Sequence, residues 1–528
     1  MGLASPFSLN LPGNAQGWSV TGQVVSGAVL GILCAAVVAA SMSAKAGPMI
    51  PVALMVVLPA LAAVVLRPRV GVLMLFFAMG FIEEFRGGIG DTGAGGDEAL
   101  RSERTPFYAK TIGLPSLYMP DVMIGGILFL YLAKAVLWRN TLGMRLDKIG
   151  LGLVLLALAL VLSIVVPLMG PQPFGPAILD LSTLGSITLP EKNVSDVARY
   201  LPVLQYKLFF ILFPAYLVGL VYFQQTRDIE QMLRVLGIAM AATVLLGLYR
   251  VVRDPGMIRM LVPVIFDTGS VALMAMTVFY LIGRWASGHY AMTRSVIYTL
   301  LAILLMLLIL LSFRRTMWGA IALAIPLFPF IIPRHAWRRL FILVGIGLGL
   351  GLLVLVATSP GQALLHSVLS RAAETHLNQS STLYRFAIMT WLVENFFDIP
   401  AFGYGLQPMW NEKVYIRFFY TSMENVHSLY IWLIMRMGLV GFTISGAGLM
   451  LVLWRMWEVY RSLKEEQYRI LVGVIFLSLV MYFFNGLFNP VYANVRHLVP
   501  LGLALALVTQ LPSIAARARQ STPLTGAG

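Results

Sequence analysis

Long apolar runs joined by polar connections make up most of this chain. They fall near 20–42, 48–66, 70–85, 120–138, 149–169, 202–223, 231–252, 262–283, 295–312, 316–332, 340–357, 427–454, 470–488 and 491–510. Runs of about 18 or more apolar residues are long enough to cross a bilayer as helices. A strand pattern would alternate, and these runs do not. The pattern therefore predicts an all-α polytopic membrane protein, a bundle of about 12–14 transmembrane helices with one large, partly helical loop. Residues 1–358 hold about eleven of the spans with short loops, 359–426 form the large loop, 427–510 hold the C-terminal spans and 511–528 a tail.

The stretch from Ser359 to Asn425 stands apart. Loops of that length are functional or disordered as a rule. This one carries Trp391, Phe396, Phe397, Trp410, Phe418 and Phe419, which favours an ordered segment. It also carries Arg385 ahead of the turn Pro400-Ala-Phe-Gly403-Tyr404-Gly405, and it ends by delivering His427 to the mouth of the next helix. An arginine and a histidine on a folded loop of a polytopic protein point to an active site at the membrane surface.

Composition agrees with the pattern: 59% of residues are hydrophobic and 12% charged, and the mean hydropathy is +0.83. A net charge of +15 would suggest nucleic acid in a soluble protein. Here the basic residues sit in short connections: Arg67 and Arg69; Arg139, Arg145 and Lys148; Arg284 and Arg294; Arg334, Arg338 and Arg339; Arg455, Arg461 and Lys464; Arg517 and Arg519. Counting spans puts all of them on one face, which the positive-inside rule makes cytoplasmic. Both termini are then inside, and 84–119, 170–200, 253–261 and 359–426 outside. Lys45, on the outer side of the first hairpin, runs against this assignment.

Several features carry no chemistry. The N-terminus lacks the basic start of a secretory signal, so no cleavage is expected. The lone Cys34 rules out an intrachain disulfide. The glycine-rich run 87–96 has neither the strand-to-helix context nor the Lys-Ser/Thr of a phosphate loop. The acidic residues Glu83, Glu84, Asp91, Asp97 and Glu98 show no Asp-x-Asp pattern and read as a solvated face, so no metal and no cofactor is expected.

Three cationic positions share the outer side. Arg314 and Arg315 lie in Ser312-Phe-Arg-Arg-Thr316, between two spans, where arginine runs against the positive-inside bias. They either snorkel to headgroups or bind an anion, for which the planar guanidinium is well shaped. Arg385 falls in the first turn of an expected interfacial helix over Ser380–Glu394, where the helix dipole does not favour a cation. Its partner is either a substrate anion or Glu374 or Glu394. His427 opens a span, and the other histidines give no metal-ligand spacing. A histidine suits proton removal from a sugar hydroxyl near neutral pH.

Taken together, Ser312 to Trp318, Arg385, Pro400 to Gly405 and His427 to Gly441 resemble the bacterial O-antigen ligase and polymerase superfamily over roughly 290–445. Two departures stand out: Ser428 follows the histidine where the family commonly has Asn, and Arg436 stands before Met437-Gly438 where a Glu is expected. The resemblance implies an undecaprenyl-diphosphate-linked oligosaccharide as donor and transfer on the periplasmic face of the bacterial inner membrane, without metal or nucleotide sugar. Arg385 with Arg314 or Arg315 would hold the diphosphate, and His427 would act as base. Tyr384, Trp391, Tyr404 and Glu424 are the expected substrate-binding residues. The acceptor is a lipid-linked glycan for a polymerase, lipid A-core for a ligase, or Ser or Thr for a protein transferase; a larger number of spans than the ligases have favours the first. Chain-length regulators or export proteins are the expected protein partners. A flippase would instead need polar residues buried mid-span and broken helices in paired halves.

The charge pattern yields the first test. In a Cys34→Ser background, labelling from outside is expected to modify Gln379→Cys and to spare Ser462→Cys; the reverse pattern overturns the topology.

Overall fold

The computed structural model describes residues 68–81, 119–138, 147–169, 207–253, 268–289, 292–312, 314–357, 428–488 and 495–521, with short pieces at 362, 366, 389–390, 392–394, 396–399, 401–403, 415–416 and 419–420. The expected spans 20–42 and 48–66, Cys34 and the acidic, glycine-rich stretch 83–98 lie outside them. Among the described residues twelve helices cover the apolar runs from residue 70 onward: α1 (Pro68–Phe81), α2 (Met119–Trp138), α3 (Lys148–Met169), α4 (Lys207–Tyr222), α5 (Thr226–Arg253), α6 (Thr268–Ala286), α7 (Met292–Leu311), α8 (Arg315–Ile331), α9 (Trp337–Ala357), α10 (Leu429–Ser462), α11 (Glu466–Gly486) and α12 (Val495–Ser521). The chain is an all-α polytopic membrane protein. Over their described residues, α5, α6, α10, α11 and α12 are long and apolar enough to span a membrane by themselves. The pair α8 and α9 meets the same test together, bent by 118° at the break between them. Among the described residues the only strands form a two-residue hairpin inside the large loop, with Tyr415 opposite Tyr420 and Ile416 opposite Phe419.

Small residues set the closest approaches, as expected where lipid leaves association to packing. The helices α3 and α10 run antiparallel and touch at Gly152 and Gly448, where a methyl group on either would meet the other's carbonyl oxygen at 2.4 and 2.6 Å. The helices α4 and α12 run parallel, and a methyl on Gly502 would come within 2.6 Å of the Leu212 carbonyl. The antiparallel pair α8 and α11 is in contact at Gly319 with Phe484 and at Gly473 with Ile331. This last pair matters most for the site.

One end of the bundle, the end assigned to the cytoplasm by charge, holds a network of ion pairs. Asp147 caps α3 by accepting from the Ile149 N–H at 2.9 Å. It also takes Arg455 Nε from the end of α10 at 2.9 Å, the Tyr216 hydroxyl of α4 at 3.3 Å and the Thr509 hydroxyl of α12 at 3.2 Å. Glu458 pairs with Lys148 and Arg455. Buried Asp228 pairs with Arg69 and accepts from the N–H groups of Gln224 and Gln225 in the turn between α4 and α5.

Asp147 therefore joins four helices through one carboxylate. Asp147→Ala removes a helix cap and leaves a half-buried arginine short of a partner, a loss expected on the order of 2 kcal/mol. The midpoint of thermal unfolding in detergent should fall; an unchanged midpoint would show that the network contributes nothing to stability.

Candidate functional site

The connection between α7 and α8 is built by Ser312. Its buried hydroxyl donates to the Ile309 carbonyl at 2.6 Å and accepts from the Arg314 N–H at 3.4 Å. The Trp318 indole donates to the same carbonyl at 3.1 Å. These bonds share the Ile309 carbonyl with the Ser312 N–H, which donates to it at 3.3 Å, and hold the reversal within three residues. Arg314 follows as the N-cap of α8, half-buried, with its own carbonyl accepting from Met317 and Trp318 at 2.9 and 3.0 Å. Arg315 opens the helix. Two arginines thus stand at the positive end of a helix dipole, an arrangement suited to an anion.

One turn further, Gly319 makes room for Phe484: a methyl group there would meet the ring at 3.1 Å. In the first turn of α10 the Tyr430 hydroxyl donates to the Phe483 carbonyl at 3.0 Å. Consecutive residues in the last turn of α11 therefore support both the arginine turn and the mouth of α10. Below that mouth lie buried polar groups: Ser428, which is the N-cap of α10, then Arg436, Asn485 and His497. The His497 ring meets Tyr482 edge-on at 5.7 Å.

The helix α10 is broken. Gly438 has φ 62° and ψ −173°, inside what is otherwise a continuous helix. The turn Ala401–Gly403 of the large loop docks on this break, and the Val440 N–H donates to the Ala401 carbonyl at 3.0 Å. Gly403 also has positive φ, 75°. Upstream, helical pieces at 389–390 and 392–394 lead into a 3-10 turn at Phe396–Asp398. Leu392 packs on the core, while Met389, Val393 and Phe397 are exposed.

Of the residues expected from sequence, Arg314 and the backbone of Arg315 are described. His427, Arg385, Tyr384, Glu424, Trp391 and Tyr404 lie outside the described residues. Arg436, Asn485 and His497 were not singled out as site residues. The signal for Arg436 was available, since an ionisable residue inside an apolar run is expensive and marks function by default. The histidines His289 and His335 sit at the opposite end, near Arg284 and Glu466. Burial, then the Arg284 charge, hold His289 below its usual range. Among the described residues no cluster of three or more His, Cys, Asp or Glu gathers to hold a metal.

Residues 300–446 match the family described as O-antigen ligase. This stretch has the character of the O-antigen ligase and polymerase superfamily. It takes in the arginine turn, the large loop and the break in α10. Members of the family are membrane enzymes of the glycosyltransferase kind, so the match supports glycan transfer from lipid-linked substrates in general. No curated protein matches the chain.

Proposed function

We propose that this O-antigen ligase-like chain is a polysaccharide polymerase. It moves a glycan from undecaprenyl diphosphate to a sugar hydroxyl of a second lipid-linked repeat, on the periplasmic face, with inversion and without a metal ion. The observation that carries this reading is the support of the arginine turn and the mouth of α10 by neighbouring residues of α11.

In the proposed reaction His427 takes the proton of the acceptor hydroxyl. The oxygen attacks the anomeric carbon from the face opposite the diphosphate. As that bond forms, the bond from carbon to diphosphate oxygen breaks, and undecaprenyl diphosphate leaves with the electron pair. The charge that grows on it is met by Arg385 with Arg314 or Arg315, whose guanidinium forks bind phosphate oxygens two at a time. Tyr384, Trp391 and Tyr404 offer ring faces to the sugars, and Glu424 a hydroxyl acceptor.

A second reading, ligation to lipid A-core, is favoured by the description of the matching family. A deletion strain separates the two. Single lipid-linked repeats accumulate if the chain is a polymerase, and long lipid-linked chains if it is a ligase.

Three variants test the chemistry. Arg385→Ala and the double change Arg314→Ala/Arg315→Ala are each expected to slow transfer about a hundredfold while protein still reaches the membrane. Lysine should rescue poorly, since it lacks the fork. His427→Ala is expected to cost about a hundred- to ten-thousandfold with donor binding kept. A base must be neutral to accept a proton, so the rate should fall as pH drops through the imidazole range, about 6.5 when unperturbed. Near-normal transfer by any of these variants removes that residue from the mechanism. Activity lost to a chelator and restored by Mg²⁺ would overturn the metal-free step and bring the acidic stretch 83–98 forward.

A further inference from the structure

The break in α10 and the turn of the large loop fit each other closely. A methyl group on Gly438 would lie 2.2 Å from both the Ala401 oxygen and the Gly403 nitrogen. A methyl on Gly403 would lie 2.4 Å from the Gly438 nitrogen and 2.5 Å from the carbonyl carbon and oxygen of Arg436. Neither position tolerates a side chain, on contact or on φ, and the obstructing atoms are backbone that cannot rotate aside. In an unbroken helix Val440 N–H would donate to the Arg436 carbonyl. Here it donates to Ala401, so the loop supplies the acceptor.

In sequence this contact falls close to both expected halves of the site. His427 precedes Gly438 by eleven residues. Arg385 precedes Ala401 by a short run that includes the helical pieces at 389–394 and the 3-10 turn, with Leu392 seated on the core.

We infer that Gly403 and Gly438 are positioning residues: they form a backbone latch that stays closed through turnover and holds the segment after Arg385 in register with the helix that follows His427. The inference rests on the functional reading above for the roles of Arg385 and His427, and on the structure alone for the latch. It gives the glycines a role distinct from the helix packing at Gly152 and Gly448.

Two measurements test it. The first uses Ala401→Cys/Val440→Cys in the Cys34→Ser background, treated with an oxidant or with a short bis-thiol linker. A high-yield cross-link is expected, with transfer by the cross-linked protein equal to that of the same protein after reduction. Adding Gly438→Ala should reduce the cross-link strongly. No cross-link, or transfer lost on cross-linking and regained on reduction, overturns a latch that stays closed. The second uses Gly403→Ala and Gly438→Ala in full-length protein. A displacement of about 1 Å at a reacting group costs about a hundredfold, so kcat should fall by about that much with the donor KM little changed. Wild-type kcat in either variant overturns the positioning role. If Gly438→Ala fails to reach the membrane, Gly403→Ala and the cross-link carry the decision. Full transfer by His427→Ala would sink the mechanism and leave the cross-link untouched, so the two failures are distinguishable.

Discussion

In an apolar surround every backbone N–H and C=O must find its partner within the protein, and this requirement shapes each irregular point in the bundle. Pro333 has no N–H to offer the Pro329 carbonyl, so the Trp337 indole donates to it at 2.8 Å. The Tyr460 hydroxyl from α10 serves the last carbonyls of α8, Phe330 and Ile331, at 3.1 and 3.0 Å. Gln510 and Arg517 of α12 donate to the carbonyls of Leu220 and Gln224 where α4 ends. The loop on α10 is the same solution with a backbone acceptor in place of a side chain. A helix break is stable here only because another segment completes its hydrogen bonds.

The two ends of the bundle treat charge differently. At one end carboxylates and basic side chains neutralise each other across helix pairs, as with Asp147 and Arg455, Asp228 and Arg69, and Glu465 and Arg519. At the other, arginines gather at a helix start, where the dipole adds positive potential to theirs.

Much of this was legible in the sequence, and the exceptions have physical causes. The runs 120–138 and 149–169 gave helices within a residue or so of Met119–Trp138 and Lys148–Met169, because lipid-facing and core-facing positions are alike apolar. The end of α12 was less clear: the helix continues to Ser521, past the apolar run at 491–510, as a polar extension that packing and Arg519–Glu465 support. The Ser-x-Arg turn was visible as a motif, but its logic, one hydroxyl bonding at both ends of a reversal, needs coordinates. Gly438 and Gly441 stood out only as part of the family pattern that follows His427. That Gly438 breaks the helix depends on a partner in another segment, which a reading by periodicity does not contain. Arg436 was noted for its departure from the family pattern, and its burial beside the break was not readable from spacing.

The contact between Ala401 and Val440 also bears on how the molecule is made. The turn leaves the ribosome before the helix it will join, and the two are separated by about forty residues of chain. Until α10 has been synthesised and inserted, the Ala401 carbonyl has no Val440 to accept from, and α10 enters with nothing to complete its hydrogen bonds at Gly438. Closing so long a loop carries an entropic cost that is recovered only once both sides are in place. Closure of this contact is thus a late step of biogenesis, after the chain has been threaded through α10.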